Sequence, residues 1–207
     1  MSRIKICGLC CVEDIGAVNR VLPDYIGFVF APSRRRIDIE TAAILKEKLD
    51  TRIKAVGVFV NEDINAISDI VKKNSVIDLI QLHGDENDLY IEQLKKVCDC
   101  PVIKAFGIGG DSDTLPAVPN KADYLLFDAI SEQRGGVGRA FDWRLLKEYR
   151  NMPYFLAGGL STENVASVID LLSPFCVDVS SGVETDGVKD TRKIEKFVNL
   201  VRRKNNE

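Results

Sequence analysis

Short apolar runs alternate along the chain with longer segments whose apolar residues recur every three or four positions. Eight runs fit β-strands: residues 3–7, 25–30, 53–60, 77–82, 102–106, 124–128, 154–157 and 175–179. They are rich in Val, Ile, Leu, Phe and Tyr, the side chains that suit a pleated, half-buried surface. Residues 40–49 carry Ala43, Ile44 and Leu45 among polar neighbours, and residues 63–73 repeat Ile64, Ile67, Ile70 and Val71 at helical spacing. Ser161 or Thr162 is placed to cap a helix with Val165, Val168, Ile169 and Leu172 on one face. Ile194, Phe197, Val198 and Val201 mark a last helix over residues 191–203. The fifth and sixth helices are faint, and Pro116 and Pro119 leave little room for the fifth.

Strict β-α alternation predicts a parallel sheet. Eight units in 207 residues predict a (β/α)8 TIM barrel at the small end of its size range. An open doubly wound sheet of this length has fewer strands, and no G-x-G-x-x-G follows the first run. No linker or low-complexity stretch divides the chain, so residues 1–207 read as a single domain.

Barrel strands point alternate side chains inward and toward the helices. If apolar residues face the helices, Lys5 and Cys7 point inward on strand 1, and Gln81 and His83 on strand 4. On strand 5, Ile103 and Ala105 are expected to face the helices and Lys104 the interior. Asp128 shares a face with Leu126 on strand 6, and Asp178 and Ser180 point inward on strand 8. Most of these polar residues end their strands, where enzymes of this fold carry their active sites. Polar groups are costly to bury unpaired, so their convergence from five strands on one mouth predicts a catalytic or binding site.

Ala157-Gly158-Gly159 ends strand 7 and Ser180-Ser181-Gly182 ends strand 8. Loops after these two strands commonly hold phosphate through backbone N–H groups, and glycine lets the backbone come close to an anion. Taken alone, each loop reads as a tight βα turn, but the two together favour a phosphate site at Gly158, Gly159, Ser180, Ser181 and Gly182.

Composition adds mainly exclusions. The formal net charge is −3, which gives no basic field to draw nucleic acid. No apolar run approaches 20 residues, so no membrane span is expected, and the opening Met1-Ser2-Arg3-Ile4-Lys5 does not read as a signal peptide. The expected setting is cytoplasmic, with the six cysteines reduced. Cys7, Cys10 and Cys11 cluster, but one histidine and no second C-x-x-C pair argue against zinc.

Lys5-Ile6-Cys7-Gly8-Leu9 resembles the opening of the phosphoribosylanthranilate isomerase family of tryptophan biosynthesis. Gly27-Phe28-Val29-Phe30, Val56-Gly57-Val58-Phe59-Val60-Asn61 and Gln81-Leu82-His83-Gly84 continue the likeness. Leu126-Phe127-Asp128, Gly135-Gly136-x-Gly138, Phe141-Asp142-Trp143, Ala157-Gly158-Gly159-Leu160, Glu163-Asn164-Val165 and 177–184 complete it in collinear order. The resemblance implies an Amadori rearrangement of N-(5-phosphoribosyl)anthranilate, with no cofactor and no metal. It implies Asp128 as general acid and Cys7 as general base. A cysteine base requires the thiolate, and Lys5 on the same strand face is suited to stabilise it.

The family carries an arginine near the anthranilate, which the alignment of Ser33 and Ile37 assigns to Arg35, with Arg36 one residue away. Arginine pairs carboxylates in bidentate fashion; a solvated basic loop is the plainer reading. Asp178 is assigned to orienting the substrate. His83 is a wall of the site or a structural histidine. The expected partner is a small phosphoribosyl substrate, and the chain is expected as a monomer or homodimer. Two alternatives stand beside this reading. The related histidine-pathway isomerase carries aspartate where Cys7 stands and shows a two-fold repeat of phosphate loops, which this chain lacks. A non-catalytic phosphosugar-binding barrel needs neither Cys7 nor Asp128.

Overall fold

A computed structural model describes residues 1–108, 121–129, 146, 149 and 153–206. The two faint helices and the 135–138 and 141–143 motifs lie outside these residues. Eight parallel strands close a barrel in sequence order: β1 Arg3–Cys7, β2 Tyr25–Val29, β3 Lys54–Phe59, β4 Leu79–Leu82, β5 Val102–Ile108, β6 Tyr124–Ala129, β7 Tyr154–Ala157 and β8 Cys176–Val179. β1 pairs with both β2 and β8, which closes the ring. The described helices are α1 Val12–Val21, α2 Ile39–Lys48, α3 Ile64–Asn74, α4 Asp88–Val97, α5 Val165–Leu172 and α6 Thr191–Asn205. A short hairpin of β9 Glu184–Thr185 and β10 Val188–Lys189 follows β8.

Two cores separate across the strand wall. Ile4, Ile6, Phe28, Ile80, Leu82, Val177 and Val179 pack against the helices. Tyr25, Val56, Leu79, Ile103, Ala105, Leu126, Phe155 and Cys176 fill the barrel. This split agrees with the expected phase on strands 1, 4, 6 and 8 and reverses it on strand 5. Ile103 and Ala105 lie inside, and Lys104 points to the helix side. There Lys104 Nζ is 2.8 Å from Glu86 Oε2 and also donates to the Gly84 carbonyl. Paired in this way, a lysine is tolerated in the buried outer layer, so its polarity does not report its face.

Helix starts follow their caps. Asp38, Asp63, Asn87 and Asp190 accept backbone N–H groups at the starts of α2, α3, α4 and α6. α5 begins later than the cap expected at Ser161 or Thr162. Asn164 occupies the cap position, and its side chain ties the preceding turn by accepting from Ser161 N and donating to the Gly159 carbonyl.

Candidate active site

The carboxyl ends of the strands open on a cavity of about 500 Å³. Its lining includes Cys7, Arg34, Arg35, Gln81, His83 and Asp128. Gly158, Gly159, Asp178, Ser180 and Ser181 complete the polar wall. Lys5, Arg36 and Gly182, also singled out in the sequence, stand back from it. Lys5 is fully buried below Asp178, and Arg36 points to solvent. Gly182 lies where the two glycine loops meet, since a Cβ there would collide with the Leu160 carbonyl oxygen.

Cys7 ends β1 beside Gly27 of β2. A Cβ on Gly27 would lie 2.6 Å from Cys7 Sγ, so this strand glycine leaves the thiol its space. Burial pushes the Cys7 thiol up from its ordinary value; Lys5 and Lys189 pull it down without cancelling that effect. Lys5 Nζ is 2.7 Å from Asp178 Oδ2. Burial works against the Lys5 charge, but Asp178 and Cys7 outweigh it and hold the ammonium protonated. Asp178 Oδ1 is buried and has no partner among the described residues, leaving an acceptor at the cavity wall.

Asp128 reaches the cavity from β6, and its Oδ2 is 3.3 Å from His83 Nε2. His83 Nδ1 is 2.9 Å from the Gln81 side-chain nitrogen. At the rim, Glu184 gathers three cations. Arg35 Nε and Nη2 meet its carboxylate at 2.7 and 3.0 Å. Arg34 Nη2 lies 2.6 Å away and Lys189 Nζ 2.8 Å. Burial opposes the charge on Glu184, but Arg35 and Lys189 hold its carboxyl below the ordinary range. Arg35 thus comes to the cavity with one edge of its fork already taken, and its Nη1 has no hydrogen-bond partner among the described residues.

Glu184, Lys189, Arg34 and Gln81 were not assigned roles from the sequence. Glu184 stood within the 177–184 motif, and Gln81 was correctly given an inward face. Lys189 carried no signal, because its partners lie in a hairpin too short to read as strands. Cys10, Cys11 and Asp14 are a group whose ligand atoms lie within 4.8 Å of one another. Asp14 Oδ2 there already accepts the backbone N–H groups of Cys10 and Cys11.

A closed parallel barrel with an acid, a thiol and two glycine loops around one mouth is the architecture of a phosphosugar-processing enzyme. A family model described as N-(5'phosphoribosyl)anthranilate (PRA) isomerase matches residues 4–200, and the chain belongs to this family. It is 49% identical over 203 residues to N-(5'-phosphoribosyl)anthranilate isomerase of Endomicrobium trichonymphae, covering 98% of this chain and 99% of that protein. It is similar to the crystal structure of phosphoribosyl anthranilate isomerase from Thermotoga maritima (TM-score 0.83, 35% identity, 98% and 99% of the two chains). A crystal structure of phosphoribosyl anthranilate isomerase in complex with reduced 1-(o-carboxyphenylamino)-1-deoxyribulose 5-phosphate matches with TM-score 0.81 and 34% identity, over 98% and 99% of the chains. Among the described residues, no helix is long and apolar enough to cross a membrane.

Proposed function

We propose that this chain isomerises N-(5-phosphoribosyl)anthranilate to 1-(o-carboxyphenylamino)-1-deoxyribulose 5-phosphate in tryptophan biosynthesis, in the cytoplasm. The observation that carries the reading is one cavity lined by Cys7, Asp128, Arg35 and both glycine loops. Asp128 gives its proton to the ribose ring oxygen as the C1–O bond breaks, which opens the ring to a Schiff base. The Cys7 thiolate then takes the C2 proton, and the enolamine formed tautomerises to the ketone. Gly158, Gly159, Ser180 and Ser181 hold the 5-phosphate, with Gly182 setting how closely the two loops approach. Arg35 meets the anthranilate carboxylate through its free Nη1 edge. Arg36, exposed and outside the cavity lining, is the weaker candidate for that contact.

Asp178 Oδ1 is the acceptor for a substrate hydroxyl, since a buried acceptor left unpaired is costly and a ligand donor relieves it. Lys5 keeps Asp178 and the thiolate in place from below without touching substrate. The decisive test is turnover of phosphoribosylanthranilate by the wild type, Cys7→Ala and Asp128→Ala. An inactive wild type, or an unchanged kcat in either variant, overturns the reading.

A further inference from the structure

The mechanism above makes no use of Gln81. It lies on β4 two residues before His83, so the two side chains share the inward face. Gln81 is 1% exposed. Its amide nitrogen is 2.9 Å from His83 Nδ1, and its Oε1 is buried without a partner among the described residues. His83 carries the contact onward, with Nε2 3.3 Å from Asp128 Oδ2. The surrounding strands present Cys7 from β1, Val58 from β3, Gly107 from β5, Ala157 from β7 and Asp178 from β8. Asp178 is therefore the other acidic group bearing on the pair, and its charge is coupled to both Asp128 and His83.

An amide nitrogen only donates, and an amide oxygen only accepts. With the nitrogen toward the ring, Nδ1 must be bare, so a neutral ring carries its proton on Nε2 and donates it to Asp128. That arrangement suits the Asp128 carboxylate. A half-turn of the amide exchanges oxygen and nitrogen with little change of shape. The oxygen then accepts from Nδ1–H, and Nε2 becomes an acceptor that Asp128 satisfies only when it holds its proton. The two orientations thus match the two states an acid passes between, before and after it protonates the ring oxygen.

We propose that Gln81 is a positioning residue for the proton on Asp128: its amide orientation sets the His83 tautomer, and the tautomer favours either the carboxylic acid or the carboxylate. The inference rests on the acid role of Asp128 proposed above. In that step the Asp128 O–H bond and the substrate C1–O bond break, while the O–H bond to the ring oxygen and the C1=N bond of the Schiff base form. Gln81 transfers no proton, and a change of tautomer moves the ring proton by way of solvent, to which the His83 side chain is 32% exposed.

His83 is the only histidine in the chain, so ¹⁵N NMR of the labelled protein reads its tautomer without ambiguity. The wild type at neutral pH is expected to show mainly the Nε2–H form. Gln81→Met removes the donor at similar volume and should give a mixture of tautomers. It should also lower kcat roughly tenfold, part of the benefit of a well-placed acid, and move the kcat–pH profile while KM stays within about twofold. Gln81→Glu offers only an acceptor and should populate the Nδ1–H form; it carries the same readout if Gln81→Met fails to fold. In a His83→Ala background, Gln81→Met should change kcat no further.

An unchanged tautomer ratio in a folded Gln81 variant overturns the proposal. So does a further loss of kcat in the His83→Ala background, which would mean the amide acts directly on substrate. A wild type that does not turn over phosphoribosylanthranilate instead removes the functional reading, and with it the acid that Gln81 is inferred to serve.

Discussion

The two walls of the cavity are built on opposite terms. The β1–β8 wall is buried and crowded with paired charge: Lys5 against Asp178 below Cys7, and Glu184 against Arg34, Arg35 and Lys189 at the rim. The β4–β6 wall is open. His83 and Asp128 are each about one-third exposed, at 32% and 38%, and are joined by a single 3.3 Å contact. On the roles proposed for Cys7 and Asp128, the difference teaches that a base and an acid need different protection. Burial raises the cost of a thiolate, so cations must stand close to make it accessible at all. An acid that gives up and regains a proton is better served by neutral partners able to follow its charge.

The comparison breaks most directly at the two groups proposed to react. Cys7→Ala and Asp128→Ala should each lower kcat by about 10²–10⁴-fold, the usual contribution of a placed acid or base; steady-state assays check this, and a small loss on one side would mean that wall is passive. Next in size is Lys5→Met, which strands a buried Asp178 charge and should cost about 3–5 kcal/mol of stability in denaturant unfolding. The same swap at Lys95, whose partner Asp123 is surface-exposed, should cost less than about 1 kcal/mol. Glu184→Gln weakens the hold on Arg35 and should raise KM roughly five- to tenfold, about the net value of one ordinary hydrogen bond, with kcat little changed.

A smaller effect follows from pH. The Cys7 thiol lies above its ordinary value of 9.0, and the active form is the thiolate. The rate at which iodoacetamide alkylates Cys7, read by mass spectrometry, should therefore keep rising as pH increases through 9, and a plateau already reached at neutral pH would contradict the burial argument. The smallest effect concerns Glu86. Burial opposes its charge, yet Lys104 and backbone N–H groups hold it below its ordinary 4.5. A depressed carboxyl contributes stability above its unfolded value that is lost as pH falls through the folded one. Glu86→Gln should accordingly flatten the decline of Tm below pH 4.5, measured by thermal melts across pH.

Strand order and barrel closure were legible because eight apolar runs repeat at near-constant spacing, and that periodicity is local. The inward phase of strands 1, 4, 6 and 8 was legible for the same reason, and it brought Cys7, His83, Asp128 and Asp178 to one mouth. Strand 5 was misread because alternation has two phases, and the choice between them rested on a lysine whose partner, Glu86, lies 18 residues away. α1 and α4 were not singled out. The first begins in the cysteine cluster, where the cap residue is Cys11 and Asp14 reaches back from inside the helix to accept the Cys10 and Cys11 N–H groups. The Arg35–Glu184 pair spans 149 residues, and no local pattern announces a contact of that reach. Arg35 was singled out by family likeness, while the carboxylate that orients it was not.

Lys104 has a consequence for how the barrel finds its pairing. A shift of β5 by one residue against its neighbours would turn Lys104 into the apolar interior and Ile103 and Ala105 outward. Most barrel strands carry hydrophobic residues on both faces, so such a slip exchanges one apolar surface for another at modest cost. Here it would separate an ammonium from Glu86 and strand both charges away from water. The pair adds little to the depth of the native state, but it makes the neighbouring wrong alignment expensive, acting as a key that fits only one setting of the lock.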